Sequence, residues 1–515
     1  MCTAKQPLPC DCAQRTAKQS LSCGWGLRTA KDLSRQRLVL FAVPFFIAVR
    51  FSEALSCALS LPCAVDPLCR ALLVAHAKGG DDGVKKNLDR FSALPDDVLL
   101  AILQLLDLRA TVRVATVARR LMHLPRLLTD LVINVADLIP HSGDFSRHTA
   151  DHVMSAYADA IRWFLSAPAK QRSIKTLRLA FYLIDPYLRS IGDAVAETGG
   201  AERLEFAIRA HLYPINRVRD VQDAVFARRL VAFVAACPVA FGWLTRLTLQ
   251  NISFSDSEML HLLNACNRLE LLSLIRCCAV SNSRCSILRI DAPRSPLLAL
   301  EIRESFYPGV ELTSLPKLER VFCDDRLDIF IGVFPVRFGN VPRLHHINLA
   351  APHLMYYSYR NPGQHFPALS NLRVIHLSDL DIQEMFWTLH ILHGAPLLNT
   401  LSLKVFSPRC YLTNVVEEAP DFEHLNLSLL EIKGFAGLTA DFEVVRYIRI
   451  IMERAVYLKK IHLVEQHPFL RSCGGVSCSR CQVIEQQTNL LSKLFADAGR
   501  APEIAIDLMS GDTSF

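Results

Sequence analysis

Apolar and polar positions follow two different periods along the chain. In Leu94–Leu124, "LPDDVLLAILQLLDLRATVRVATVARRLMHL", apolar residues recur at spacings of three and four, the period of an amphipathic helix. Pro95 suits a first helical position, and Asp96 and Asp97 bring negative charge to the helix N-terminus, where the dipole favours it. Val98, Leu99, Ile102, Leu103, Leu105 and Leu106 then form a broad apolar face. Asp107 is placed to cap a second helix through "RATVRVATVARRL". The block predicts two or three short helices with more apolar surface than they can cover among themselves. A unit below about 40 residues usually needs outside support.

Beyond residue 170 the period changes to apolar-x-x-apolar-x-apolar, and it recurs. Clear copies are Ile174–Leu179, Leu244–Leu249, Leu269–Leu274, Leu297–Ile302, Leu344–Leu349, Leu372–Leu377 and Leu398–Leu403, with looser ones near Ala201–Phe206, Leu318–Cys323, Leu427–Ile432 and Leu458–Leu463. Successive copies are mostly 21 to 31 residues apart, with one step of 43 after Ala201. Eleven copies at that step are the signature of leucine-rich repeats. Each copy predicts a short strand followed by a helical or irregular return, and neighbouring copies stack because none can bury its apolar face alone. The fold class expected is α/β, a helical unit followed by a solenoid of short parallel strands.

Boundaries follow from the shifts in pattern. Residues 1–80 have no sustained period, and ten lysines or arginines stand there against four acidic residues. Three readings compete: a transit-type targeting peptide, an interfacial anchor at Leu38–Val49, or an extension without a fold, and an incorrectly joined upstream exon is a further source. Residues 81–90 lie in the polar linker "GGDDGVKKNLDR". The helical unit covers 91–130, a connecting helical segment 131–170, the solenoid 171–465, and a cysteine-containing loop with a capping segment 466–515.

Composition narrows the function classes. The 515 residues are 51% apolar and 21% charged, with ample material for a core. Mean hydropathy of +0.23 is high, as a leucine-rich repeat makes it. No stretch reaches the roughly 18 uncharged apolar residues of a membrane span. The net charge of +7 sits almost wholly in residues 1–80, whereas a nucleic-acid binder carries its basic excess on the folded domain. The 17 cysteines are spread along the chain, many inside apolar runs, and read as buried free thiols of a reducing compartment.

No catalytic signature is present: G-x-x-x-x-G-K-[S/T], G-x-G-x-x-G, G-x-S-x-G and H-E-x-x-H are all missing. The histidines, such as His345, His346 and His376, sit in strand contexts and read as surface or satisfied structural groups. The weak metal candidate is His467, Cys473, Cys478 and Cys481, soft ligands around a Gly-Gly turn. Their H-x5-C-x4-C spacing lacks a second C-x-x-C, and a plain cysteine-containing loop is the competing reading. No cofactor is expected.

A helical block of about 40 residues ahead of leucine-rich repeats resembles the plant (grass-type) F-box/leucine-rich-repeat protein family. Leu94–Leu124 looks like an F-box in its Leu94-Pro95 start, acidic pair, apolar helix and basic pair Arg119-Arg120. Val444–Gln466, "VVRYIRIIMERAVYLKKIHLVEQ", is similar to the C-terminal region of grass members. The chain departs where the family usually has Trp after the basic pair: Leu121 and Met122 stand there. Leu121 supplies about 1–2 kcal/mol less apolar burial than Trp at a buried site.

The resemblance implies a non-catalytic substrate-recognition subunit of a Skp–cullin–F-box ubiquitin ligase. Its F-box binds a Skp-type adaptor, and through it cullin and a RING subunit, in cytoplasm or nucleus. Leu94, Pro95, Val98, Leu99, Ile102, Leu105, Leu108, Val114, Val117 and Leu121 are then the residues of adaptor contact or of the helices' own packing. Positions between the strand leucines, Arg246, Thr248, Glu270, Ser273, Arg373, His376, Asn399 and Ser402, are the surface expected to hold a protein substrate. The alternative is a binding scaffold with no ligase role, its helical block only a cap on the solenoid. A small-molecule receptor is a third reading, but it requires a polar pocket that the strands do not provide.

Overall fold

Alternate residues of each repeated copy are apolar, and each copy is accordingly a strand with one buried face. The computed structural model describes residues 94–106, 110–113, 121–139, 147–166, 173–210, 223–281, 284–305, 307, 309–324, 336–350, 369–406, 421–435, 442–465 and 502–508. The chain divides into two units, Met1–Lys85 and Lys86–Phe515, and every described residue is in the second. The expectations for residues 1–80, for the linker 81–90, for Leu108, Val114 and Val117, and for His467, Cys473, Cys478 and Cys481 lie outside the described residues.

In chain order the elements are α1 (Asp96–Leu103), β1 (Asp130–Asn134), α2 (Arg147–Leu165), β2 (Thr176–Tyr182), α3 (Tyr187–Glu197), β3 (Arg203–Arg209), α4 (Asp223–Ala236), α5 (Pro238–Trp243), β4 (Leu244–Gln250), β5 (Ser253–Phe254) and α6 (Asp256–Ala265). There follow β6 (Leu271–Ile275), β7 (Cys278–Ser281), β8 (Arg284–Ser286), β9 (Leu288–Asp291), β10 (Ala299–Arg303), β11 (Val310–Ser314), β12 (Arg320–Asp324), β13 (Val336–Asn340) and β14 (His346–Ala350). The remainder are β15 (Val374–Asp381), α7 (Thr388–Gly394), β16 (Thr400–Phe406), β17 (Leu429–Lys433), α8 (Phe442–Arg454), β18 (Lys460–Glu465) and β19 (Glu503–Leu508).

Thirteen strands form one parallel sheet in the order β1-β2-β3-β4-β6-β10-β12-β14-β15-β16-β17-β18-β19. Register brings the core residues into two rows, from Leu131 and Ile133 through Leu272 and Leu274 to Leu430 and Ile432. They belong to one continuous core that runs from Leu131 to Ile506. This is the stacked burial a solenoid requires, since each strand contributes only half a core.

The returns pack on the other side of those rows. In the first repeats they are helices, joined by edge-to-face rings: Phe181, Phe206, Phe233 and Phe241 contact one another with centroids 5.0–6.0 Å apart. Tyr157 of α2 donates its hydroxyl to the Ile133 carbonyl at 3.0 Å, tying that helix to β1. α6 starts in a capping box: Ser255 Oγ accepts from Glu258 N while Glu258 Oε2 accepts from Ser255 N.

Three features differ from the pattern read along the chain. The sheet begins earlier, at β1, inside the segment expected to be connecting and helical. It ends later, at β19, in the segment expected only to cap. The returns after β6, β10 and β12 are neither helical nor irregular: β9, β11 and β13 form a second, three-stranded parallel sheet. These strands are four or five residues of simple alternation ("LRID", "VELTS", "VRFGN"), too short to separate from loop by period alone. A further small sheet, β5-β7-β8, closes one corner.

Candidate interaction surfaces

The helical unit has two apolar populations. Leu99, Leu103 and Leu121 are each 1% exposed, and Leu124 is fully buried, yet none of the four belongs to the continuous core of the solenoid. They are buried outside that core. Beside them Val98, Leu105, Val112 and Met122 face outward, Leu105 being 68% and Met122 55% exposed. Pro95 is also exposed, whereas Leu94 and Ile102 are half-buried. Of the residues singled out from the sequence, Leu99 and Leu121 therefore pack inward, and Val98, Pro95 and Leu105 point out. Met122 and Val112 were not among them. Both occupy helical spacing in the block, but only the three-dimensional packing separates its two faces.

Polar contacts fasten this unit to the first strand of the sheet. Gln104 Nε2 donates to Thr129 Oγ1 at 3.1 Å and to Asp130 Oδ2 at 3.2 Å. Arg126 Nη2 donates to Ser166 Oγ at 2.9 Å, and its guanidinium lies 6.0 Å from the centroid of the Trp163 ring.

The second surface is the open face of the large sheet, where residues alternate with the core rows. Register splits the sequence-derived residues into two groups. Thr248 is paired with Ser273, with Arg246 on the same strand and Glu270 at the approach to β6. Farther along, His376 is paired with Ser402, and Arg373 and Asn399 sit at the approaches to β15 and β16. Between and beside these groups lie residues the pattern did not single out: Arg178, Glu205, Glu301, Arg303, Arg320, Phe322, His346, Asn348, Glu431 and His462. Their signal was present, since all but Arg303, which directly follows its copy, stand between two core positions of a repeat copy, half of the ten in the looser copies.

Charges at the two ends of this face are mutually satisfied. Glu205, only 7% exposed, receives Arg178 Nε at 2.6 Å and has Arg246 Nε 3.6 Å away. At the other end Ser402 Oγ donates to Glu431 Oε2 at 2.6 Å, Lys433 Nζ lies 2.8 Å from the same oxygen, and His462 bridges Glu431 at 2.9 Å and Asp507 at 2.8 Å. Burial pushes the Glu431 carboxyl up, but the hydrogen bonds from Lys433, Ser402 and His462 outweigh it and hold the group below its ordinary value. In the middle, the rings of His346 and His376 are 5.3 Å apart. Loss of water lowers the pKa of both; His345 and Arg320 add to the effect on His346, and Lys433 to that on His376, where Glu431 opposes it.

Among the described residues no group of three or more His, Cys, Asp or Glu side chains is arranged to hold a metal ion. Cys237, Cys266 and Cys277 are free thiols. Burial pushes the Cys266 and Cys277 thiols up to about 12, which suits packing groups and not nucleophiles. No described helix is long and apolar enough to cross a membrane.

The fold and its two surfaces define a leucine-rich-repeat solenoid with a separate helical unit fastened to its first strand. Residues 217–362 match the family model described as the leucine-rich repeats of the FBD-associated F-box protein At5g56370. A comparison with curated proteins found no match. Among 24 matching solved chains, one from the crystal structure of a TLR13–ssRNA13 complex is 13% identical, with a TM-score of 0.27, over 67% of this chain and 52% of that one. The chain thus spans about half the length of that neighbour.

Proposed function

We propose that the chain is the non-catalytic substrate-recognition subunit of a Skp–cullin–F-box ubiquitin ligase. The helical unit docks on a Skp-type adaptor, and the open strand face holds a protein substrate. The observation that carries this reading is that Val98, Leu105, Val112 and Met122 of the helical unit are exposed while its Leu99, Leu103 and Leu121 are buried. Several large apolar side chains left exposed within one short unit suit a protein-binding surface. The match of residues 217–362 to repeats of an F-box protein supports the same reading. The function is then proximity: tethering substrate and ubiquitin-charged enzyme in one assembly raises their effective concentration, which asks for no catalytic residue in this chain.

Co-expression with a Skp-type adaptor, followed by capture on a tagged adaptor, tests it. The wild-type chain is expected to be captured, and Val98→Asp/Leu105→Asp to be lost while still folded, since both side chains are exposed. Leu99→Asp is unsuitable because Leu99 is buried. Failure of the wild-type chain to be captured leaves the helical unit as a cap on the solenoid, as its Gln104 and Arg126 contacts also allow.

A further inference from the structure

The middle of the strand face carries an arginine that forms no ion pair among the described residues, beside two imidazoles. Arg320 on β12 is exposed and pairs in register with His346 on β14. His346 in turn faces His376 on β15, ring to ring at 5.3 Å. Phe322 lies beside Arg320 with the Arg303 guanidinium over its ring at 4.6 Å. Asn348, a donor and an acceptor, is paired in register with His376.

The other charges around this spot are already engaged or lie at its margins. Glu301 on β10 is held by Arg303 at 3.4 Å, and Glu431 on β17 by Lys433 at 2.8 Å. Glu319 and Asp324 flank the two ends of β12, and His345 and Arg373 precede β14 and β15. Among the described residues Arg320 and Arg373 enter no ion pair. The end groups of the face, by contrast, each have a carboxylate between basic partners.

We propose that Arg320, His346 and His376 form an anion-binding spot for an acidic side chain presented by a bound protein segment. A carboxylate or phosphate between the three strands would accept from the guanidinium and from an N–H of each imidazole, charge-assisted bonds roughly twice as strong as neutral ones. It would also offset the loss of water that lowers the pKa of both rings, so binding takes up protons. Affinity therefore rises as pH falls through the histidine range. This rests on the reading of the strand face as the recognition surface.

Fluorescence anisotropy on the full chain tests it, with labelled hexaglutamate, hexaglutamine and phosphoserine-containing peptides as probes. The hexaglutamate peptide is expected to bind about fivefold tighter at about pH 6 than at about pH 7.5, and hexaglutamine not at all. Arg320→Ala and His376→Ala should each weaken it about tenfold, and Arg337→Ala, on the separate small sheet, should not. Stronger binding of the phosphoserine peptide makes phosphate the preferred anion and supports the proposal equally. Equal binding of glutamate and glutamine peptides, no binding of either acidic probe, or an equal loss in Arg337→Ala overturns it. Adaptor capture measured on the same samples keeps the two readings apart: peptide binding without capture sinks the ligase assignment alone, and capture without peptide binding sinks the anion spot alone.

Discussion

At the corner after a strand the backbone must swing from the open face to the return, and the same residue position does it in repeat after repeat. Asn251, Arg276, Glu304 and Asp379 adopt φ of 59°, 53°, 47° and 56°, and Gly434 reaches 91°. The next residue is then buried: Ile252, Cys277, Ser305, Leu380 and Phe435. Cys277 and Ser305 each close the corner by donating to the carbonyl of the last core residue of the preceding strand. Cys277 Sγ reaches Leu249 O at 3.4 Å, and Ser305 Oγ reaches Leu274 O at 3.3 Å while accepting from Cys277 N at 3.1 Å.

Ser305→Ala is expected to strand the buried Cys277 amide at a cost of about 1–3 kcal/mol, read as a fall in thermal midpoint. At Gly434 a Cβ would lie 2.3 Å from the Val405 carbonyl oxygen. Gly434→Ala should therefore cost more than the roughly 1–2 kcal/mol of a left-handed residue alone; an unchanged denaturation midpoint contradicts the corner's role. These corners were not legible in the chain because Asn, Arg, Glu, Asp and Gly share the position, and only the backbone conformation unites them.

A buried histidine adds a pH dependence. His424, only 2% exposed, accepts Leu427 N at Nδ1 and contacts Ala395 O through Nε2, so Nε2 carries the proton of a neutral ring. Burial lowers its pKa below 6.5, with the Ala395 bond opposing. The folded state thus binds this proton less well than the unfolded one, and stability is whole above about pH 6.5 and lost as pH falls below it. His346 and His376 are shifted in the same direction. Thermal melts stepped from neutral to mildly acid pH should show a decline that His424→Asn makes shallower; an identical slope in both proteins rules His424 out as a contributor.

Among the elements, α1 shows how far an apolar period can be read. The spacing located the helix and named most of its apolar residues, yet Val98 and Leu99 look equivalent in the sequence and have opposite fates. The difference is one of burial, 1% exposure for Leu99 against 40% for Val98, and only the folded chain shows it. Leu103→Ala is expected to destabilise the unit by about 2–5 kcal/mol, whereas Leu105→Asp should change its stability by no more than about 0.5 kcal/mol. Chemical denaturation of the two variants distinguishes them, and equal losses would mean that Leu105 is covered after all. Strands were more legible than helices because each repeat copy places two apolar residues in the core with a fixed spacing. β9, β11, β13 and β19 escaped because they have alternation without the leucine spacing that precedes the others, whereas β1 does carry that spacing in Leu128, Leu131 and Ile133 and stands apart from the other copies along the chain.

At the scale of the whole molecule, one core spans every repeat from Leu131 to Ile506, and the helical unit stays outside it with its own buried leucines. A solenoid cap would merge with the core it closes, whereas a docking unit keeps an uncovered side. Calorimetric titration of a Skp-type adaptor into the chain over a range of temperatures tests that distinction most directly. The expected result is saturable binding with a negative heat-capacity change, the mark of apolar burial, weakened at least about tenfold by Val98→Asp/Leu105→Asp, as for loss of central contact residues. No heat of binding, or equal affinity in the doubly substituted chain, would contradict it.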